Sequence, residues 1–121
     1  MIKPSELRLG NIISHNGEPV PVVQIERRFK TRYRLNDLDV DERTIEDHFQ
    51  PIPLTPALLY NAGFSTPRDY VSTVVERGGV MIDYHLGKFR LRENNRITID
   101  YVHQLQNLYF ALTGEELSIT L

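Results

Sequence analysis

The chain contains no cysteine, which removes disulfides, thiolate metal sites and cysteine nucleophiles together. It also mildly favours a reducing compartment. No stretch approaches the about 18 consecutive apolar residues that a membrane-crossing helix needs. Met1-Ile2-Lys3-Pro4-Ser5-Glu6 lacks the apolar core of a signal peptide, so a cytoplasmic protein with no membrane partner is expected. Neither sign of charge dominates: 14 Lys and Arg stand against 16 Asp and Glu, a formal net charge of −2. A protein built mainly to hold DNA usually carries a basic excess. The balance therefore argues against that class while leaving room for a local basic face.

Catalytic and cofactor motifs are missing as well. Ser5, Ser14, Ser65, Ser72 and Ser118 include no Gly-x-Ser-x-Gly elbow. No Walker A loop or Gly-x-Gly-x-x-Gly stretch is present to cradle a phosphate. His15, His48, His85 and His103 show no HxH or HExxH spacing. A metal would need a distant set such as His85 and His103 with Asp83 or Asp100. Asp37-Leu38-Asp39-Val40-Asp41 matches only the opening of a calcium loop, because Glu42 and His48 stand where Gly and Glu are required. Glu115-Glu116 follows a helix stop and reads as a solvated pair. No catalytic residue, metal site or cofactor is assigned, and an enzyme lacks positive support.

What is present is ordinary globular material. The 121 residues are 40% hydrophobic and 25% charged, which suits one domain with a modest single core. Up to Pro53 the pattern has mostly period two. Asn11 to Ser14 reads as a strand, Asn16-Gly17 as a two-residue turn, and Val20 to Ile25 as the returning strand. Pro19 and Pro21 lack ladder donors, which predicts an edge or a bulge in its first half.

Phe29 to Leu35 and Leu38 to Asp41 flank a second turn at Asn36-Asp37. Residues whose numbers sum to 73 should then oppose each other: Arg34 with Asp39, Arg32 with Asp41, Leu35 with Leu38, and Tyr33 with Val40. One face carries opposite charges and the other is apolar, as a half-buried antiparallel hairpin requires.

Gln50 to Pro53 reads as an extended connection. A short helix follows, with Thr55 as cap, Pro56 at the first position and Gly63 as terminator. Its apolar face would be Leu58, Leu59 and Ala62, with Phe64 just beyond. Tyr70 to Val75, Val80 to Leu86 and Lys88 to Leu91 form a predicted meander turned at Gly78-Gly79 and Gly87. Asn94-Asn95 reads as a break. A last helix runs from Tyr101 to Leu112 between an Asp100 cap and Gly114, with Tyr101, Leu105, Leu108 and Leu112 as its stripe. Leu117 to Leu121 alternates and is a candidate edge strand.

The segment Tyr101-Val102-His103-Gln104-Leu105-Gln106-Asn107-Leu108-Tyr109-Phe110-Ala111-Leu112-Thr113-Gly114-Glu115-Glu116-Leu117 resembles the C-terminal signature of a family of small uncharacterised proteins of bacterial genomes and prophages. Leu7-Arg8-Leu9-Gly10-Asn11 and Pro51-Ile52-Pro53-Leu54-Thr55 are similar to other parts of the same family. The resemblance implies a full-length domain and a bacterial or phage setting. It transfers no activity, cofactor or catalytic residue.

Two surfaces are candidates for binding. Arg28, Lys30, Arg32 and Arg34 would share one face of an extended strand, with interleaved aromatics, so they could grip nucleic-acid phosphates. Against this, Asp39 and Asp41 lie opposite, and Tyr33 points into the core. The second candidate is the last helix, which has more apolar surface than one face needs. Tyr109 and Phe110 project about 100° apart, so one of them should lie off the core. The docking set would be His103, Gln106, Asn107, Tyr109 and Phe110, facing a protein partner or a second copy of the chain. With the helix sandwiched instead, His103, Gln104, Gln106 and Asn107 would form its exposed polar side.

The expected fold is α+β in one domain, 1–121. A β-rich, SH3-like unit (1–53) precedes a unit (54–121) of helix, antiparallel meander and C-terminal helix. The expected function is a non-enzymatic protein-binding or adaptor module, and the alternative is a nucleic-acid-binding accessory protein.

Overall fold

The computed structural model of the chain describes residues 2–27, 30–67 and 73–121. They form a mixed α+β protein in two compact units, 1–52 and 53–121.

In the first unit a 3-10 turn over Pro4–Glu6 precedes β1 (Ile12–His15), β2 (Glu18–Arg27), β3 (Thr31–Leu35), β4 (Leu38–Asp41), helix α1 (Glu42–His48) and β5 (Phe49–Gln50). The strands form one curled antiparallel sheet in the order β4-β3-β2-β1-β5. Asn16 and Gly17 both adopt positive φ, at 53° and 82°, as a two-residue turn between β1 and β2 demands.

Val22 N–H donates to the Asn11 carbonyl at 2.8 Å. The alternation then turns the ring nitrogens of Pro19 and Pro21 away from β1. On that side pairing with β3 begins only at Val22, so neither proline interrupts a ladder. A bulge between Val22 and Gln24 pushes Val23 out to solvent and resets the register.

The β3–β4 hairpin has the register read from its sequence: Arg32 opposite Asp41, Tyr33 opposite Val40, Arg34 opposite Asp39 and Leu35 opposite Leu38. Phe29, placed in this strand by the sequence, lies outside the described residues. Tyr33 and Leu35 are buried, whereas Leu38 on the edge strand stays exposed. The core joins them to Ile2, Leu7, Ile13, Val20, Val22, Ile45 and Phe49.

Helix α1 was not expected from the sequence. Its one apolar interior residue, Ile45, gives no periodic stripe; the available signal was the capping pair Asp41 and Thr44 ahead of Ile45 and Phe49.

In the second unit helix α2 (Pro56–Asn61) leads to strands β6 (Val74–Arg77), β7 (Val80–His85), β8 (Lys88–Leu91) and β9 (Asn94–Thr98), then helix α3 (Val102–Thr113). The sheet is an antiparallel meander, β6-β7-β8-β9. Thr55 caps α2 by accepting from Leu58 N–H at 3.2 Å, and Leu59, Ala62 and Phe64 are buried. The predicted start of the first meander strand, Tyr70 to Ser72, lies outside the described residues.

Three expectations need correction here. Asn94-Asn95 opens a strand rather than a break; all five residues of β9 are exposed, so no apolar alternation marks it. The cap of α3 is Tyr101 rather than Asp100. The tail 117–121 is no strand: Leu117 and Ile119 are buried by alternation, without ladder pairing.

Candidate functional site

Helix α3 begins where the Gln104 side chain folds back. Its Oε1 accepts from the N–H groups of Tyr101 at 3.2 Å and Asp100 at 2.9 Å, satisfying donors that a helix start leaves orphaned. It ends at Gly114 (φ 75°), whose N–H donates to the Phe110 carbonyl at 2.8 Å. The buried stripe is Val102, Leu105, Gln106 and Tyr109, with His103 beside it.

Of the five residues nominated for docking, His103, Gln106 and Tyr109 are therefore buried, Asn107 is half-buried and Phe110 is 37% exposed. This corrects the expectation that His103 and Gln106 lie on an exposed polar side. The true stripe includes polar residues that periodicity of apolar residues alone assigns to solvent. The His103 ring stacks parallel to Tyr101 with centroids 6.0 Å apart, and Gln106 Nε2 points to the Leu117 carbonyl at 3.5 Å.

Tyr109 is locked in place. Its ring meets Phe64 edge-on at 6.1 Å, and the Arg77 guanidinium lies over it at 5.6 Å. Arg77 also donates to the Ala62 carbonyl. Phe110, one residue and about 100° further round, is left off the core. Leu112 is also exposed, at 49%, against its place in the stripe expected from sequence.

The basic strand has acquired neighbours of opposite sign on both sides. On the outer face of β3, Arg32 and Arg34 stand between Gln24 and Glu26 of β2 and Asp39 and Asp41 of β4. Arg32 pairs diagonally: its Nε lies 3.1 Å from Asp39 Oδ1 and its Nη2 donates to the Asp39 carbonyl at 3.2 Å. Arg34 Nε reaches the Asn36 carbonyl at 3.4 Å. Asp41 instead caps α1, accepting from Thr44 N–H at 2.9 Å and Thr44 Oγ1 at 2.8 Å. These hydrogen bonds, aided by the charges of Arg32 and Lys30, hold its carboxyl below the usual range. Arg28 lies outside the described residues. Lys30 borders an open polar depression with Thr31, Asp41, Glu42 and Arg43.

A second cationic row escaped the sequence reading. Lys88 and Arg90 share the outer face of β8, opposite His85 and Asp83, while Phe89 and Leu91 turn inward and are buried. Asp83 Oδ1 is engaged by Arg92 Nη1 at 2.9 Å. The signal was the alternation Lys88-Phe89-Arg90-Leu91-Arg92, a strand with one cationic and one apolar face.

The four histidines sit on different elements, with His15 stacked on Phe49 at 4.5 Å. Among the described residues no group of three or more His, Asp or Glu is placed to hold a metal ion. Among them also, no helix is long and apolar enough to cross a membrane. Comparison with protein-family models, curated proteins and solved structures gives no match.

Proposed function

We propose that the chain is a non-enzymatic binding module that docks onto another protein through the C-terminal half of α3. Phe110 carries this reading: it keeps 37% of its surface exposed while its neighbour Tyr109 is fixed in the core, and Asn107 flanks it one turn earlier. A half-exposed aromatic with a polar neighbour has the chemistry of an interface anchor. The resemblance at the C-terminus supports a bacterial or prophage setting, and the curled five-stranded sheet of the first unit supports an SH3-like assignment. The absence of cysteine favours a reducing, cytoplasmic compartment. The nucleic-acid reading of Arg28, Lys30, Arg32 and Arg34 loses ground, because Glu26, Asp39 and Asp41 offset that row.

The test compares full-length protein with Phe110→Ser in pull-downs from nuclease-treated host lysate, alongside light scattering of the purified chains. Proteins retained by the parent and lost with Phe110→Ser, at unchanged melting temperature, support the reading. A parent dimer that Phe110→Ser dissociates identifies the partner as a second copy. Identical recovery and identical mass for both chains reject it.

A further inference from the structure

We infer that the outer face of the second sheet, along β8 and out to the hairpin tip at Leu86, binds the phosphate backbone of a nucleic acid. Two independent observations converge on this face. Lys88 and Arg90 are exposed, and among the described residues neither forms an ion pair. The carboxylate nearest to them in the ladder, Asp83, is held by Arg92. On this face Lys88, Arg90 and Arg92 stand with two carboxylates, Asp83 and the Glu76 that opposes Met81, a surplus of one positive charge, 3 − 2. On β3, by contrast, Arg32 is already paired with Asp39, and Lys30, Arg32 and Arg34 stand with three carboxylates, Glu26, Asp39 and Asp41.

The second observation is the turn itself. Leu86 adopts φ +51°, a left-handed conformation unfavourable to a branched side chain. The equivalent positive-φ positions of the β1–β2, β3–β4 and β6–β7 turns hold Asn16, Asn36 and Gly78. Leu86 is 87% exposed, so burial in the core does not explain the leucine. A strained, apolar, exposed residue beside a cationic row is a contact point looking for a surface.

The row favours a linear polyanion over a flat one. From Lys88 to Arg92 the cations extend back from the tip for about 13 Å along the strand. An anionic membrane touched by the tip would engage Lys88 and leave Arg90 and Arg92 unused. A nucleic-acid backbone laid along β8 meets all three, with Leu86 against sugar or base edges at one end. Among the outward residues of β7 and β8 (Met81, Asp83, His85, Lys88 and Arg90) there is no Phe, Tyr or Trp, and the one ring is the imidazole of His85. Contact is therefore to phosphates and independent of sequence, unlike base-stacking platforms. Helix α3 contacts β7, and Tyr109 meets Arg77, which faces inward with Val75 and Ile82. The cationic face thus lies on the side of the sheet away from α3, which leaves the helix free for its own partner.

The experiment is fluorescence anisotropy of a labelled DNA duplex of about 20 base pairs, titrated with the full chain at about 50 and about 200 mM salt. With two unpaired cations, affinity falls about 10-fold between these conditions. Lys88→Gln with Arg90→Gln abolishes most of that dependence, while the charge-keeping pair Lys88→Arg with Arg90→Lys retains binding and reports that the face is folded. Leu86→Gly, which relaxes the turn, weakens binding without lowering stability. Arg32→Gln with Arg34→Gln leaves binding intact. No binding at low salt, salt-independent binding, or equal loss in the β3 pair overturns the inference. So does binding of phosphatidylserine vesicles in preference to the duplex.

Discussion

Gly78 lies directly under the hydroxyl of Tyr109: a Cβ built on the glycine would sit 2.5 Å from the phenolic oxygen. Gly78 and Gly79 both have positive φ, 59° and 86°, so the β6–β7 turn alone accounts for two glycines. The contact with Tyr109 sets them apart, since nothing lies within 4 Å of a Cβ at Gly79. Gly78→Ala must displace a ring held by Phe64 and Arg77 and should cost about 2–4 kcal/mol, combining overpacking with backbone strain. Gly79→Ala carries only the backbone penalty, about 1 kcal/mol. Urea midpoints of the two variants separate these effects, and equal midpoints would refute the close approach.

Asp41 joins the hairpin to α1. Asp41→Ala removes the acceptor for Thr44 and should lower the urea midpoint, whereas Asp41→Asn preserves most of the cap. The carboxyl titrates below its unfolded value because of the Thr44 hydrogen bonds. Its stabilisation is therefore complete above the unfolded carboxylate range, about pH 4, and is lost as the pH falls through the lower folded value. The difference between parent and Asp41→Ala should shrink in acid; a constant difference from pH 7 down would remove the cap's charge from the account.

Tyr33 is buried with its hydroxyl donating to the Pro4 carbonyl at 3.0 Å. Tyr33→Phe leaves that carbonyl without this donor and should cost about 1–2 kcal/mol. Desolvation, reinforced by Glu42, raises the phenol's pKa above its ordinary value. The neutral form is the folded form, so this contribution is present below the unfolded phenol range, about pH 10. It is lost as the pH rises through the folded value. Alkaline denaturation curves of parent and Tyr33→Phe should converge there, and parallel curves would show that Tyr33 does not titrate with unfolding.

Leu105 and Leu112 belong to one stripe by spacing but to different environments by packing, 0% and 49% exposed. Leu105→Ala should cost about 2–5 kcal/mol and Leu112→Ala less than about 0.5 kcal/mol. Thermal unfolding of the two variants checks it, and comparable losses would mean that the end of α3 is covered in solution.

The local pairings of this protein were legible in its residues. The Asn16-Gly17 turn, the β3–β4 register, the Thr55 cap and the Gly114 stop depend on backbone preferences and on neighbours a few positions away. Chain order carries that information directly. Elements without a periodic apolar signal were not legible: α1 has one buried residue, and β9 has none.

Which side of a helix faces the core lies beyond local pattern. The apolar residues of α3 outnumber one stripe, and the stripe that packs was selected by Phe64, Arg77 and Gly78, brought to it from other elements. Tertiary structure likewise decided the two cationic strands. Arg32 and Arg34 gained acidic neighbours from both flanking strands, while Asp83, engaged by Arg92, leaves Lys88 and Arg90 without an ion pair among the described residues. Charge along a strand is a property of the sequence. The field above a sheet is a sum over strands, and only their pairing sets it.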